Sequence, residues 1–249
     1  AGAPHPATAA PAEEATPGGL PALRRLAPGD PSPVAAGDLL ISHPMSGSSE
    51  SVFDQSIVLL ARVERAQGFV EGFVLNKRGE AGLPKAGADE LSSLIAEEGF
   101  SWGGPVMEKT VDESLAWLHS HAGAARDAAE VVPSLWVGGD RAAVRGAERA
   151  ARSGGQPAGL RFFLGRAVWA PSQLDVELER GVWVRARTEP QGVRDLCFGS
   201  AEPVAAWRSA MHGAGMPALA DFPRGPGSDA LFEKIHTRLW ERGGRGDGK

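Results

Sequence analysis

Ile57-Val58-Leu59-Leu60-Ala61 is an unbroken apolar run inside the segment Ser56–Val63. It is too short for a buried helix, and it lacks the polar alternation of a half-exposed strand. It therefore reads as a central β-strand, apolar on both faces. Arg65-Ala66-Gln67-Gly68 follows and suits a hairpin connection to a second strand, Phe69–Leu75. This pair anchors everything else. Shorter strands are expected at Asp38–Ser42, Phe100–Trp102, Ser114–His119, Ser134–Val137, Leu160–Leu164 and Val182–Ala186. Helices are expected at Asp89–Glu98, Asp140–Arg152, Pro171–Glu179, Pro203–His212 and Ser228–Glu241. Pro171 sits at a first helical turn and Gly181 follows that helix. The Ala-rich face of Asp140–Arg152 suits close packing on a sheet.

The 249 residues divide by composition into four stretches. Residues 1–36 form an Ala/Pro/Gly-rich arm in which Leu20, Leu23 and Leu26 are the large apolar groups able to dock. Residues 37–199 are the core domain, 200–242 a helical extension, and 243–249 a Gly-rich tail. A formal charge of -5 argues against a nucleic-acid binder driven by bulk charge, so no direct nucleic-acid contact is expected. No run approaches the ~20 apolar residues of a membrane span, although peripheral association with a membrane complex is compatible. The absence of Tyr and the excess of Arg over Lys reflect a GC-rich coding bias. Ala1 in place of Met, followed by Glu13, Glu14 and Asp30, reads as what remains after a targeting peptide is removed.

Candidate chemistry is sparse. His119 and His121 share a strand face, but a metal site needs three or four ligands and none is near in sequence. The simpler expectation is that His119 packs and His121 is exposed. Gly138-Gly139-Asp140 precedes a helix whose N-terminus could hold an anion. Asp140 would occupy those N–H groups itself. Cys197, the one cysteine, lies in an apolar context and reads as a buried small hydrophobe. Asp175, Glu177 and Glu179 fall on different faces of one helix, so no acid/base pair is indicated. No nucleophile elbow, phosphate loop or dinucleotide fingerprint occurs, and no catalytic residue, cofactor or metal is assigned.

Of seven tryptophans, Trp102, Trp117, Trp136, Trp169 and Trp183 fall in or beside core strands. Trp207 and Trp240 lie in the C-terminal helices and are candidate docking anchors. The helix Ser228–Glu241 adds a Leu231/Ile235/Leu239 stripe with Phe232 and Trp240 at its margins. With Leu20, Leu23 and Leu26, these residues are the expected partner-binding set.

Several separated blocks belong together: Gly37-Asp38-Leu39-Leu40-Ile41-Ser42-His43-Pro44, Phe53–Leu60, Gly72–Lys77, Trp102-Gly103-Gly104-Pro105-Val106, Trp136-Val137-Gly138-Gly139-Asp140, Trp169–Asp175 and Gly181-Val182-Trp183. In this order the chain resembles the AlgH/YqgE-like family of small α/β proteins over roughly residues 37 to 186. The resemblance implies an α/β (α+β) fold: a strongly twisted, mostly antiparallel sheet, curling toward a barrel, flanked by helices. It implies no catalytic reaction, because the family has none established. The chain departs from the family pattern at Gly165-Arg166-Ala167-Val168-Trp169, where Arg166 and Val168 would fill a glycine-lined cleft. Ser172 and Asp175 replace a usual Gly and Glu.

These readings converge on a non-catalytic structural or regulatory subunit of an organellar assembly, the plastid first. Its partners would be protein subunits. A transcription-linked soluble regulator is the alternative, and a nucleotide- or phosphate-binding hydrolase ranks third. Mitochondrial and bacterial cytoplasmic locations are the alternatives to the chloroplast stroma.

Overall fold

The computed structural model describes residues 22–44, 51–79 and 99–222. Eleven strands in these residues form two sheets. The first contains β1 (Arg24–Arg25), β2 (Leu39–Ser42), β3 (Ile57–Glu64), β4 (Phe69–Val74), β10 (Ala167–Trp169) and β11 (Trp183–Arg187), in the order β1-β11-β2-β3-β4-β10. The second contains β5 (Ser101–Trp102), β6 (Leu115–His119), β7 (Ala128–Val132), β8 (Leu135–Gly138) and β9 (Leu160–Leu164), in the order β5-β9-β6-β8-β7. Every pairing is antiparallel except β5 with β9.

The apolar run of β3 explains the layering. Ile57, Leu59 and Ala61 enter the largest apolar cluster, whereas Val58 and Leu60 point the opposite way into a second one. β2 repeats the alternation, with Leu39 and Ile41 on one side and Leu40 on the other. Both faces of the first sheet are therefore buried, as continuous apolar strands require. One face meets Leu118, Leu135, Val137 and Phe163 of the second sheet, and the Phe73 and Phe163 rings lie 5.2 Å apart. The other face is covered by α3 (Pro171–Glu179), through Leu174, and by Phe53. The outer face of the second sheet packs Leu160, Phe162 and Leu164 against Val144 of α2 (Arg141–Ser153).

The remaining helices are α1 (Val111–Ser114), α4 (Pro190–Phe198), α5 (Pro203–Gly213) and α6 (Pro217–Ala220). α4 and α5 add Val193, Leu196, Trp207, Ala210 and Met211 to the cluster between the sheets.

The antiparallel sheets and flanking helices match expectation, and among the described residues the strands do not close into a barrel. The strands divide into two leaves joined at one corner. There Val74 N–H donates to Gly103 O at 2.9 Å, and Gly103 N–H donates to Leu164 O at 2.9 Å. The close crossing rests on glycine. A Cβ at Gly103 would stand 2.1 Å from Gly165 O, and one at Gly104 would stand 2.2 Å from Arg166 C. Trp102-Gly103-Gly104-Pro105 is thus a backbone crossing, with no room for a phosphate cradle.

The expected arm is corrected for its described part. Arg24 and Arg25 pair with Arg187 and Ala186, and Leu23 and Leu26 are buried. Residues 22–36 are an edge of the first sheet, because their few apolar groups find cover on their own domain. The expected helices Asp89–Glu98 and Ser228–Glu241 lie outside the described residues.

Candidate functional site

Two buried carboxylates, Asp38 and Glu148, and the half-buried Glu177 organise the polar interior. Asp38, 1% exposed, ends the loop before β2. Its Oδ2 accepts from Arg185 Nε at 2.8 Å and from Ala35 N–H at 3.1 Å, and its Oδ1 accepts from Arg187 Nε. Arg185 also donates to the carbonyls of Ser32 (2.8 Å) and Pro33 (2.6 Å). This cluster fastens the arm to β11. Glu177 of α3 accepts from two indole N–H groups, Trp169 at 3.0 Å and Trp183 at 2.8 Å. Those rings pack edge to face at 5.9 Å, with Phe53 against both. Glu148 of α2, with no exposed surface, accepts from Gly159 N–H at 3.0 Å and Arg152 Nε at 2.5 Å, and bonds His121 Nε2 at 2.8 Å.

Each carboxylate is committed to fixed partners, which suits structure and not proton shuttling. His119 is fully buried and its ring stacks on His121 at 6.2 Å and Trp136 at 5.8 Å. Burial, and then His121 nearby, hold its pKa down to about 4. His121 is corrected from exposed to largely buried, at 13% side-chain exposure, because Glu148 draws it inward. No group of three His, Cys, Asp or Glu that could hold a metal occurs among the described residues. Asp140 caps α2 by accepting from Ala142 and Ala143 N–H, so the anion position at that helix start is filled. Cys197 is fully buried, and burial raises its thiol to about 12.

Four of the exposed large apolar side chains sit near the corner where the two sheets join, and Val176 and Phe222 are exposed elsewhere. Trp102, Val106, Met107 and Val168 are all exposed, at 37–43%. Val106 forms a bridge with Arg166, and Val168 follows two residues later on β10, the outer strand of its sheet. A Cβ on Gly165 would approach Met107 Sδ to 2.9 Å, placing that side chain on the same seam. Arg166 does not fill a cleft: it spans Glu71, with Nε at 3.3 Å, and Glu108. Four large apolar groups exposed where the edges of the two sheets meet offer surface suited to protein contact.

Of the expected partner-binding residues, Leu23, Leu26 and Trp207 are corrected to core positions. Trp207 is 1% exposed, and its indole donates to Ser42 O at 3.0 Å. It reads as an anchor in sequence because large aromatics mark interfaces and interiors alike. Leu20, Leu231, Phe232, Ile235, Leu239 and Trp240 lie outside the described residues. The seam residues were missed as a site. Trp102 was expected beside the core, and its 40% exposure follows from its place on the outer strand β5.

Comparison with known proteins follows the same geometry. Residues 39–219 match the model of the AlgH-like family. A UPF0301 protein of Chlorobaculum parvum is 35% identical over 158 residues, covering 61% of this chain and 74% of the relative. One from Chlorobium luteolum is 32% identical over 159 residues, covering 63% and 76%. The crystal structure of a Corynebacterium diphtheriae protein superposes with a TM-score of 0.53 at 23% identity, over 77% of this chain and 94% of that one. That likeness concerns the fold.

Proposed function

The chain belongs to the AlgH-like family, and on that premise we propose that it is a non-catalytic docking subunit of a larger protein assembly. One contrast carries the reading. Asp38, Glu148 and Glu177 hold tryptophans, arginines and backbone in place, while four large apolar side chains stay exposed near the joined sheet edges. Carboxylates and histidines meant for acid/base chemistry face a cavity. Here these carboxylates turn to fixed partners, and the exposed apolar groups present packing surface. None of its described helices is long and apolar enough to cross a membrane, so contact with an assembly would run through such a surface. We place the assembly in an organelle of bacterial descent, the plastid first. The relatives named above are bacterial, and the family domain here carries Ala/Pro-rich sequence beyond the matched region.

The test is native purification from the source organism, with mass spectrometry of co-migrating proteins and organelle fractionation. Reproducible partners that are lost from a Trp102→Asp, Val168→Asp double variant of unchanged melting temperature support the reading. Migration of the wild-type protein alone, or partner retention by the variant, rejects it.

A further inference from the structure

Arg161 on β9 is a half-buried cation with no carboxylate partner among the described residues. Its Nε and Nη2 donate to Ser101 Oγ at 3.0 and 2.8 Å, and its Nη1 donates to Cys197 O at 2.8 Å. Its guanidinium lies 5.4 Å from the centroid of the Phe163 ring. These are neutral partners, and among the described residues no Asp or Glu oxygen comes within ion-pair distance. A guanidinium carries five N–H donors in a planar fork, and two remain unspent here.

A second cation faces the same place. Arg78 forms an antiparallel bridge with Ser101, so the two side chains leave the backbone on one face, the face on which Ser101 meets Arg161. Both residues line one small cavity with Asn76, Asp195, Gly199 and Ala201. Asn76 is committed elsewhere, to Ile57 N–H, Gln55 O and Pro203 O. Asp195 lies on exposed helix surface and accepts from Gln191 Nε2 at 2.7 Å. Glu202, beside the cavity, turns its carboxylate onto Val204 and Ala205 N–H. Two positive charges thus face a cavity with one acidic side chain in its lining. Burial first, and the Arg78 charge after it, pull the Arg161 pKa down to about 10, so Arg161 stays charged at neutral pH.

We propose that this cavity between β9, the segment that follows β4, and helices α4 and α5 is a binding site for a small oxyanion, a phosphate or carboxylate group held between the guanidinium groups of Arg161 and Arg78. The pairing is chemically specific, because an Arg fork matches both oxyanions in a bidentate way. Size sets the class of ligand. The cavity volume of about 50 Å³ holds a few water-sized volumes, which suits one small anionic group. An anion there would neutralise a charge that the fold otherwise buries unpaired. The site does not depend on the docking surface and lies on different residues.

Calorimetric titration of the full chain with inorganic phosphate and with acetate, against chloride at matched ionic strength, tests this. One saturable site per chain is expected for at least one oxyanion, with a rise in melting temperature that follows its concentration. Phosphate alone would assign a phosphate group, and acetate alone a carboxylate terminus. Arg78→Ala, at an exposed side chain, is expected to weaken binding about tenfold or more while leaving the unliganded melting temperature in place. Arg161→Lys keeps the charge but loses the fork, and is expected to weaken binding as well. Binding of both oxyanions no tighter than chloride, or unchanged affinity in Arg78→Ala, overturns the proposal.

Discussion

Asp38 and Arg185 stand 147 residues apart in the chain and meet in the interior, with Arg185 Nε donating to Asp38 Oδ2 at 2.8 Å. Arg185 reaches through this pair to the carbonyls of Ser32 and Pro33, so one ion pair ties β11, the start of β2 and the arm together.

Asp38→Ala leaves Arg185 buried without its counter-charge. Removing one partner of a buried pair costs about 3–5 kcal/mol. Denaturant unfolding is expected to show that loss, with the Ser32–Ala35 segment becoming the first site of limited proteolysis. A variant within about 0.5 kcal/mol of wild type would show that the cluster is ornamental.

Deleting residues 22–36 removes Leu23 and Val34 from two separate apolar clusters, and with them the buried Leu26. Leu26→Ala alone is expected to cost about 2–5 kcal/mol. Retention of the wild-type melting temperature after the deletion would show that the arm adds nothing to the core.

Glu177→Ala strands two indole N–H groups on rings that are 4–5% exposed. Each unsatisfied buried donor costs roughly 1–3 kcal/mol. Loss of stability should come with a changed tryptophan emission maximum, because Trp169 and Trp183 report on the same space. Glu177→Gln keeps one acceptor oxygen and is expected to fall between the two.

Stability should rise with pH between about 4 and 6.5. His119 titrates near 4 when folded and near its ordinary 6.5 when unfolded, so the unfolded chain binds more protons in that window. Its contribution is complete above 6.5 and is lost as pH falls, on the order of 3 kcal/mol by pH 4. His43, also lowered by burial, adds the same sign. His119→Leu is expected to flatten the profile, and an unchanged slope would assign it to carboxylates instead.

Cys197, fully buried with its thiol raised to about 12, is expected to resist iodoacetamide in the native protein and to react after unfolding. Stoichiometric native alkylation at pH 8 would show that α4 opens readily.

The sequence alone determined the elements whose signals are local. The run Ile57–Ala61 specified a strand buried on both sides because its alternate residues are all apolar. Asp140 and Pro171 announced helix starts through capping chemistry that acts within one turn. Cys197 declared itself buried by its neighbours. Three strands escaped notice: β1, only Arg24–Arg25, β7, with Ala128-Ala129-Glu130 at its start, and β10, only Ala167–Trp169. Their pairing partners decide them, since none carries enough periodicity by itself. Helix α4 had a legible pattern, Val193/Leu196/Cys197 behind Pro190, that passed unread.

Tertiary structure decided everything that depends on which side of a residue finds cover. Leu23, Leu26 and Trp207 carry the same apolar surface whether they meet their own domain or another protein, and only packing shows that it is their own. Trp102 is as apolar as Trp207, yet it is left in solvent because its strand lies at a sheet edge. Arg161 looks like any strand arginine until Ser101 and Cys197, 60 and 36 residues away, are seen to give it neutral partners alone. Hydrophobicity is a property of the side chain, whereas burial and charge compensation belong to pairs brought together by the fold.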